Sequence, residues 1–119
     1  MTVIDTTTQI VVGAPTAKTY NVFWTLGMSL NEQQETVSLG DEIVFAWTGL
    51  HNVYKFPTKA AFDACDFSDA AELAPHSQND YVYKANEVGT FFFSCEIPSH
   101  CELGQKLALT VTSGMILRG

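Results

Sequence analysis

Short segments in which apolar and polar side chains alternate occupy most of this chain. Residues 43–47 and 106–112 each place large apolar side chains at every second position. A period of two puts these side chains on one face of an extended strand and the intervening ones on the other. One buried face and one wet face are typical of antiparallel sheets, so we predict antiparallel-type strands. Residues 20–26 follow the same pattern, with one large apolar face made of Tyr20, Val22, Trp24 and Leu26.

Gly, Pro, Asn and Asp residues separate these segments, and most of the segments are short. Such spacing indicates a sandwich or barrel rather than alternating strands and helices. The longest connection, residues 57–79, loses the alternation and holds the one helix candidate, residues 59–64. We therefore predict an all-β Greek-key sandwich or barrel, with a short helix in a connection that lies over one edge. The further predicted strands are 9–12, 36–39, 53–56, 81–83 and 88–94.

The length and composition fit one folded domain. The chain has 119 residues, and at this size about two-thirds of the extended chain's surface can be buried. Hydrophobic residues make up 46% and charged residues 16%, which excludes a disordered acidic tail. We expect a single domain over residues 1–119 with a tail at 113–119. That tail is either a truncation point before a stalk or membrane anchor, or a vector remnant.

The charge balance excludes one class of partner. The chain has 13 Asp and Glu residues against 6 Lys and Arg, a net charge of −7. It would repel a phosphate backbone, and no basic cluster offsets that sign, so we expect no nucleic-acid partner. The acidity serves either solubility, which we favour, or a basic protein partner. No apolar run approaches the roughly 20 residues that cross a bilayer, so we expect no membrane span in this chain.

The side chains with the most distinctive chemistry stand where aromatic strands end. Cys95 closes the strand that contains the Phe run 91–93, and His100 and Gln105 follow it at intervals of five residues. Far upstream, His51 comes directly after another aromatic strand. Two strand ends can meet at the same pole of a sandwich. We therefore expect these four side chains to converge.

One thiolate, two imidazoles and a weak axial donor are the ligand set of a blue-copper electron-transfer site. The thiolate favours Cu(I), imidazole suits both oxidation states, and a rigid set of ligands changes little when an electron arrives. Zinc is the alternative, since His51, Cys95 and His100 could hold Zn²⁺ with an open position for hydrolysis. Apart from the flanking Glu96 and Glu102, the sequence offers no obvious general base for that reaction.

These motifs carry a family resemblance that covers residues 39–112, most of the chain. The chain resembles the phytocyanin branch of the cupredoxins, and most closely its stellacyanin-like members. The residues that carry the resemblance are the segment 40–45, His51-Asn52-Val53, Cys65 and Cys95-x4-His100-Cys101-x3-Gln105.

The resemblance implies a function for the four converging residues. His51, Cys95, His100 and Gln105 would bind one copper ion, and the protein would carry single electrons without being an enzyme. Electrons would pass through the exposed edge of His100 to a redox protein or small molecule docked near it. We expect the carrier to be a monomer.

Three cysteines permit three disulfide pairings, and the residues alone leave the pairing open. The resemblance implies a bridge between Cys65 and Cys101, with Cys95 free to bind the metal. The chain shows no secretory signal, so either the protein is cytosolic or a signal has been removed. A structural disulfide persists in oxidising surroundings. We therefore expect an extracellular, lumenal or periplasmic location, with a membrane anchor on the full-length protein left open.

Gln105 stands where many members of that branch have Met. An amide oxygen is a harder donor than a thioether and favours Cu(II), so we predict a comparatively low reduction potential. The resemblance also makes Asn52 a candidate to tie the two ligand-bearing segments together by hydrogen bonds near the thiolate. The alternative is a plain Asn at a strand edge.

Overall fold

The chain folds into two β-sheets that pack face to face. The computed structural model describes residues 17–113 and, outside them, the backbone of one short antiparallel pair, β1 (Ile10–Val11) with β10 (Ile116–Leu117). The first sheet has the order β2-β4-β7 and the second has the order β3-β9-β8-β5-β6. The strands are β2 (Thr19–Phe23), β3 (Gln34–Ser38), β4 (Glu42–Ala46), β5 (Val53–Phe56), β6 (Ala71–Ala74), β7 (Asp80–Lys84), β8 (Gly89–Ser94) and β9 (Lys106–Thr112).

The facing side chains of the two sheets form the main core. Ile43 and Phe45 of the first sheet meet Phe93 and Leu109 of the second, and all four are fully buried. The Phe45 ring lies 4.9 Å from Trp24 and 5.4 Å from Phe93, measured between ring centroids. These aromatic residues occupy the inner positions of the alternating pattern. Over the described part of the chain, the predicted all-β sandwich with one short helix is confirmed.

The predicted helix is present as α1 (Lys59–Ala64). Its N-terminus is capped by Thr58, whose Oγ1 accepts a hydrogen bond from the Ala61 N–H at 3.1 Å. The helix buries Phe62 in a second cluster with Phe56 and Cys101. It therefore lies on the outer face of the five-stranded sheet, across β5 and β8, rather than over an edge of the sandwich.

Two strand pairings differ from the prediction of antiparallel-type strands. β2 pairs with β4 and β3 pairs with β9 in parallel, whereas β4–β7, β5–β6, β5–β8 and β8–β9 are antiparallel. A period of two describes a half-buried strand in either orientation. The direction is set by how the connections cross the sandwich, which local alternation does not encode.

Two further expectations are corrected at single segments. Leu26 does not share the buried face of Val22 and Trp24, because β2 ends at Phe23 and a turn with Gly27 at φ 69° leaves Leu26 41% exposed. The connection 57–79 holds not only α1 but also β6, which pairs with β5 and forms an edge of the second sheet.

The two short strands β1 and β10 pair with each other in an antiparallel manner. β1 falls within the predicted strand 9–12, whose residues 9 and 12 lie outside the described residues. β10 falls within the segment 113–119 that the sequence analysis assigns to a tail. The single-domain boundaries stay a prediction.

Candidate metal centre

The two connections that carry the predicted ligands meet at one end of the sandwich. His51 precedes β5, while Cys95 follows β8 and His100 lies in the loop that leads to β9. The Cys95 Sγ atom lies 3.3 Å from His100 Nδ1 and 4.0 Å from His51 Nδ1, and the two Nδ1 atoms are 3.2 Å apart. The fold therefore brings a thiol and two imidazole nitrogens to one point, within 4.8 Å of one another.

Gln105 is the fourth predicted ligand, and its side-chain amide has no hydrogen-bond partner among the described residues. It is fully buried, and within residues 17–113 neither its Oε1 nor its Nε2 has a hydrogen-bond partner. Leaving a buried polar group unpaired costs about 1–3 kcal/mol. A metal ion bound to Oε1 would satisfy that buried oxygen. The residues present therefore fit a copper ion with Cys, two His and Gln donors.

The electrostatics of the site favour its uncharged form when no cation is present. Burial lowers the pKa of His51, and the charge of His100 lowers it further. The Gln105 side-chain amide lies close to the His51 ring and raises that pKa, although the two groups do not meet in hydrogen-bond geometry. Burial also raises the pKa of the Cys95 thiol, against the N–H groups of Asn52 and Ile97 that lower it. A thiolate at this position therefore needs a cation beside it.

Asn52 links the two ligand-bearing segments, as the resemblance implied. Its Oδ1 accepts a hydrogen bond from the Glu96 N–H at 2.7 Å, and its Nδ2 donates to Glu96 Oε1 at 3.3 Å. Its own N–H points at the Cys95 Sγ, 3.5 Å away. The Asn52 carbonyl accepts a hydrogen bond from Trp24 Nε1 at 2.8 Å, which anchors the segment to the core. These contacts favour the linking role of Asn52 over the alternative of a plain Asn at a strand edge.

The backbone of Gln105 closes the loop between β8 and β9. Its N–H donates to the His100 carbonyl at 3.0 Å, and its carbonyl accepts from the Cys95 N–H at 3.1 Å. The buried Ser94 hydroxyl donates to the same carbonyl at 2.8 Å. Sequence reasoning did not single out Ser94. The one signal for it was a hydroxyl residue within an apolar strand, directly before the candidate thiolate.

The disulfide implied by the resemblance is present. Cys65 and Cys101 are bridged, with their Cα atoms 5.9 Å apart, and Cys95 is a free, buried cysteine. Because Cys101 directly follows His100, the bridge joins the neighbour of His100 to Cys65, the residue that caps the C-terminus of α1. The pairing leaves the thiol of the site available.

Comparison with known proteins agrees with this geometry. Residues 24–105 match the family described as Plastocyanin-like domain. The chain is 30% identical over 103 residues to cucumber peeling cupredoxin of Cucumis sativus, covering 78% of this chain and 72% of that protein. It is 32% identical over 79 residues to stellacyanin of Toxicodendron vernicifluum, covering 66% and 71%.

A solved structure extends the likeness to the whole sandwich. The structure of cucumber stellacyanin with Cu²⁺ matches with a TM-score of 0.68 at 26% identity, covering 82% of this chain and 98% of that chain. The fold, the Cys-His-His cluster and the sequence relatives all agree. The chain therefore belongs to the plastocyanin-like family, in the phytocyanin branch of the cupredoxins.

Proposed function

We propose that His51, Cys95, His100 and Gln105 bind one type 1 copper ion and that this protein is a one-electron carrier. The observation that carries the proposal is the convergence of three ligand atoms within 4.8 Å. The orphaned Gln105 amide supports an axial ligand at the same place. The similar cucumber stellacyanin has Cu²⁺ in its structure, and the same ion suits the donors of this chain.

Copper, when bound, supplies a centre that gains and loses one electron between Cu(II) and Cu(I). The protein's residues hold the donors in place. Cys95 would hold the ion as a thiolate once its thiol proton has passed to solvent, and the Asn52 N–H, 3.5 Å from Sγ, would stabilise that thiolate. Cys95 and Gln105 are fully buried, so water is kept from these donors. Rigid donors and a dry site keep the reorganisation on electron transfer small.

His100 is the proposed route for electrons. The side chain is half-buried, and Leu50 and Leu103, from the two ligand-bearing loops, are 54% and 57% exposed. Leu50 directly precedes His51, and Leu103 follows His100 by three positions, so each ligand-bearing loop carries an exposed apolar side chain close in sequence to a candidate ligand. We propose that a redox protein or small molecule docks there and that the carrier works as a monomer.

We propose that the protein is a carrier and not an enzyme. The general base required by a zinc hydrolase would have to be Glu96 or Glu102. Glu96 Oε1 instead accepts a hydrogen bond from Asn52 Nδ2, and its N–H is held by the same Asn52. This engagement makes Glu96 part of the support for the thiolate. Glu102 is exposed to solvent rather than buried against the site. The engagement of Glu96 and the exposure of Glu102 support copper over the zinc alternative.

We also propose an oxidising compartment, extracellular or equivalent, as the native location. The Cys65–Cys101 bridge supports it, since structural disulfides persist in such surroundings. Of the helices in the described residues, none is long and apolar enough to cross a membrane.

The deciding experiment is the addition of Cu(II) to the purified, metal-free protein. We expect an intense blue colour that bleaches with a mild reductant, since the colour reports a copper–thiolate bond. Cys95→Ser should abolish the colour and leave the Cys65–Cys101 bridge intact. His51→Asn should lose the colour too, whereas its matched control His76→Asn, at an exposed loop residue, should keep it. A colourless adduct, or equal colour in Cys95→Ser, would overturn the proposal.

A further inference from the structure

Lys106 is a half-buried lysine that the metal site does not use as a ligand. Its Nζ donates a hydrogen bond to the Phe62 carbonyl of α1 at 2.7 Å and lies 4.3 Å from the centroid of the Phe62 ring. The same nitrogen is 3.7 Å from Cys65 Sγ. Burial lowers the pKa of Lys106, whereas the nearby Asp63 and Glu102 carboxylates raise it. The amine is thus enclosed between α1 and the disulfide.

The position of Lys106 in the chain connects this contact to the metal site. Lys106 begins β9 directly after Gln105, and successive residues of an extended segment point to opposite faces. The Gln105 side chain is fully buried, and that of Lys106 reaches outward to α1. In the sheet Lys106 pairs with Ser94, the residue before Cys95. A displacement of Lys106 would therefore move the backbone beside two donors.

The helix α1 has a second attachment to the site. Its C-terminus is capped by Cys65, whose disulfide partner Cys101 follows His100. One attachment therefore lies next to His100 and the other next to Gln105. A charge-assisted hydrogen bond, a ring contact and a covalent bridge together hold both ends of the segment 100–106 against the same helix.

We infer that Lys106 is a positioning residue for the copper site. It fixes Gln105 and the start of β9 against α1, while the disulfide fixes the neighbour of His100. This inference rests on the proposed function, because it assigns a role to Lys106 in holding that site's donors. The α1 helix then holds the segment 100–106 in position, in addition to packing on the five-stranded sheet.

The test compares Lys106→Met, which keeps the length of the side chain but removes its charge and its donor, with a matched control. Lys55→Met is the control, because Lys55 makes a similar ring contact with Phe91, at 4.8 Å. We expect Lys106→Met to lose about tenfold in copper affinity, as is usual when a partner behind the ligands is removed. We also expect a shift of its blue absorption band and copper hyperfine splitting. Lys55→Met should match the wild type.

A readout without metal separates positioning from general stability. In the copper-free Lys106→Met protein, we expect the N–H groups of Cys95 and Gln105 to exchange with solvent roughly tenfold faster, while core amides such as that of Phe45 keep their rates. Phe62→Leu removes the ring contact and leaves the carbonyl. It should shift the same signals in the same direction, but less, and it replaces Lys106→Met if that variant fails to fold.

The outcomes distinguish this inference from the proposed function. A wild-type protein that binds no copper in a blue site would overturn the proposed function. A blue wild type whose Lys106→Met and Phe62→Leu variants have unchanged spectra, copper affinity and amide exchange would overturn the positioning role alone. Uniformly faster exchange across the core, with unchanged spectra, would likewise show a merely structural lysine.

Discussion

Among the described residues, four polar or charged residues are buried, and three of them have partners. Asp41 accepts hydrogen bonds from the Lys18 and Ser38 N–H groups, both at 2.9 Å. Asn52 and Ser94 are bonded within the ligand-bearing segments. The Gln105 amide is the exception. The indole Nε1 of the buried Trp47 is also unpaired among the described residues, so a missing partner alone does not mark a ligand. The Gln105 amide is a candidate ligand because it also lies close to the His51 ring.

Replacing Gln105 tests the axial position directly. We predict that Gln105→Met raises the reduction potential, because a thioether is a softer donor than an amide oxygen and therefore stabilises Cu(I) relative to Cu(II). A tenfold change in relative affinity for the two oxidation states corresponds to about 59 mV, and we expect a rise of at least that size by voltammetry. Gln78→Met, at an exposed turn residue, is the control. An unchanged or lowered potential would remove Gln105 from the axial role.

Spacing together with the family resemblance predicted that the side chains of His51, Cys95 and His100 meet. Their chemistry restricts the choice of metal, and their places at strand ends restrict where they can lie. The role of Lys106 could not be predicted in the same way. Its contacts with Phe62 and Cys65 join residues more than forty positions apart, and an alternating strand predicts only that a lysine there faces outward.

At the scale of the elements, local patterns predicted the helix α1 and missed β6. The helix begins after Thr58, a good capping residue, and its alanines favour a helix, so the local signals agree with the tertiary structure. β6 has the sequence Ala-Glu-Leu-Ala, whose residues have little intrinsic preference for strands. It becomes a strand because β5 offers it an edge to pair with. That pairing is a property of the assembled sheet.

The disulfide is the element-scale link whose removal has the most predictable cost. Cys65 and Cys101 are separated by 36 positions, and closing a loop of this size stabilises the fold by about 4 kcal/mol in the chain-entropy estimate. We predict that Cys65→Ser/Cys101→Ser lowers the free energy of unfolding of the metal-free protein by about 3–4 kcal/mol, measured by urea denaturation.

The matched control for the disulfide is Cys95→Ser, which removes a free cysteine and no bridge. It should cost less than the double variant in the metal-free protein. A double variant as stable as the wild type would show that the loop is already constrained by its other contacts, with α1 and the hydrogen bonds of Gln105 sufficient to hold it.

Across the whole molecule, the metal site is an extension of the main core. Cys95 is a member of the same buried cluster as Phe45, Phe93 and Trp24, and Trp24 anchors the Asn52 carbonyl. Cys101, which forms the disulfide with Cys65, belongs to the second buried cluster, beneath α1. The ligands are therefore fixed from both faces of the five-stranded sheet. The global stability of the metal-free fold and the protonation of the site are consequently linked.

This link predicts the pH dependence of the metal-free protein. In the fold, burial and the charge of His100 lower the pKa of His51 below its ordinary value of 6.5. Below that value the unfolded chain takes up a proton more readily than the folded one, so the free energy of unfolding falls as the pH drops from 7 to 5. The pKa values of the Glu32 and Asp66 carboxyl groups are lowered as well. They reduce the free energy of unfolding only at more acidic pH, below their ordinary values of 4.5 and 3.8.

Urea denaturation of the metal-free protein at several pH values checks this slope. His51→Asn should flatten the dependence between pH 7 and 5, because the proton-binding site is gone, and His76→Asn should leave it as in the wild type. Adding copper should stabilise the wild type at pH 7 and less so at pH 5, because protons compete with the metal for Cys95 and the imidazoles. Equal slopes in the wild type and His51→Asn would show that His51 does not couple the site to the stability of the fold.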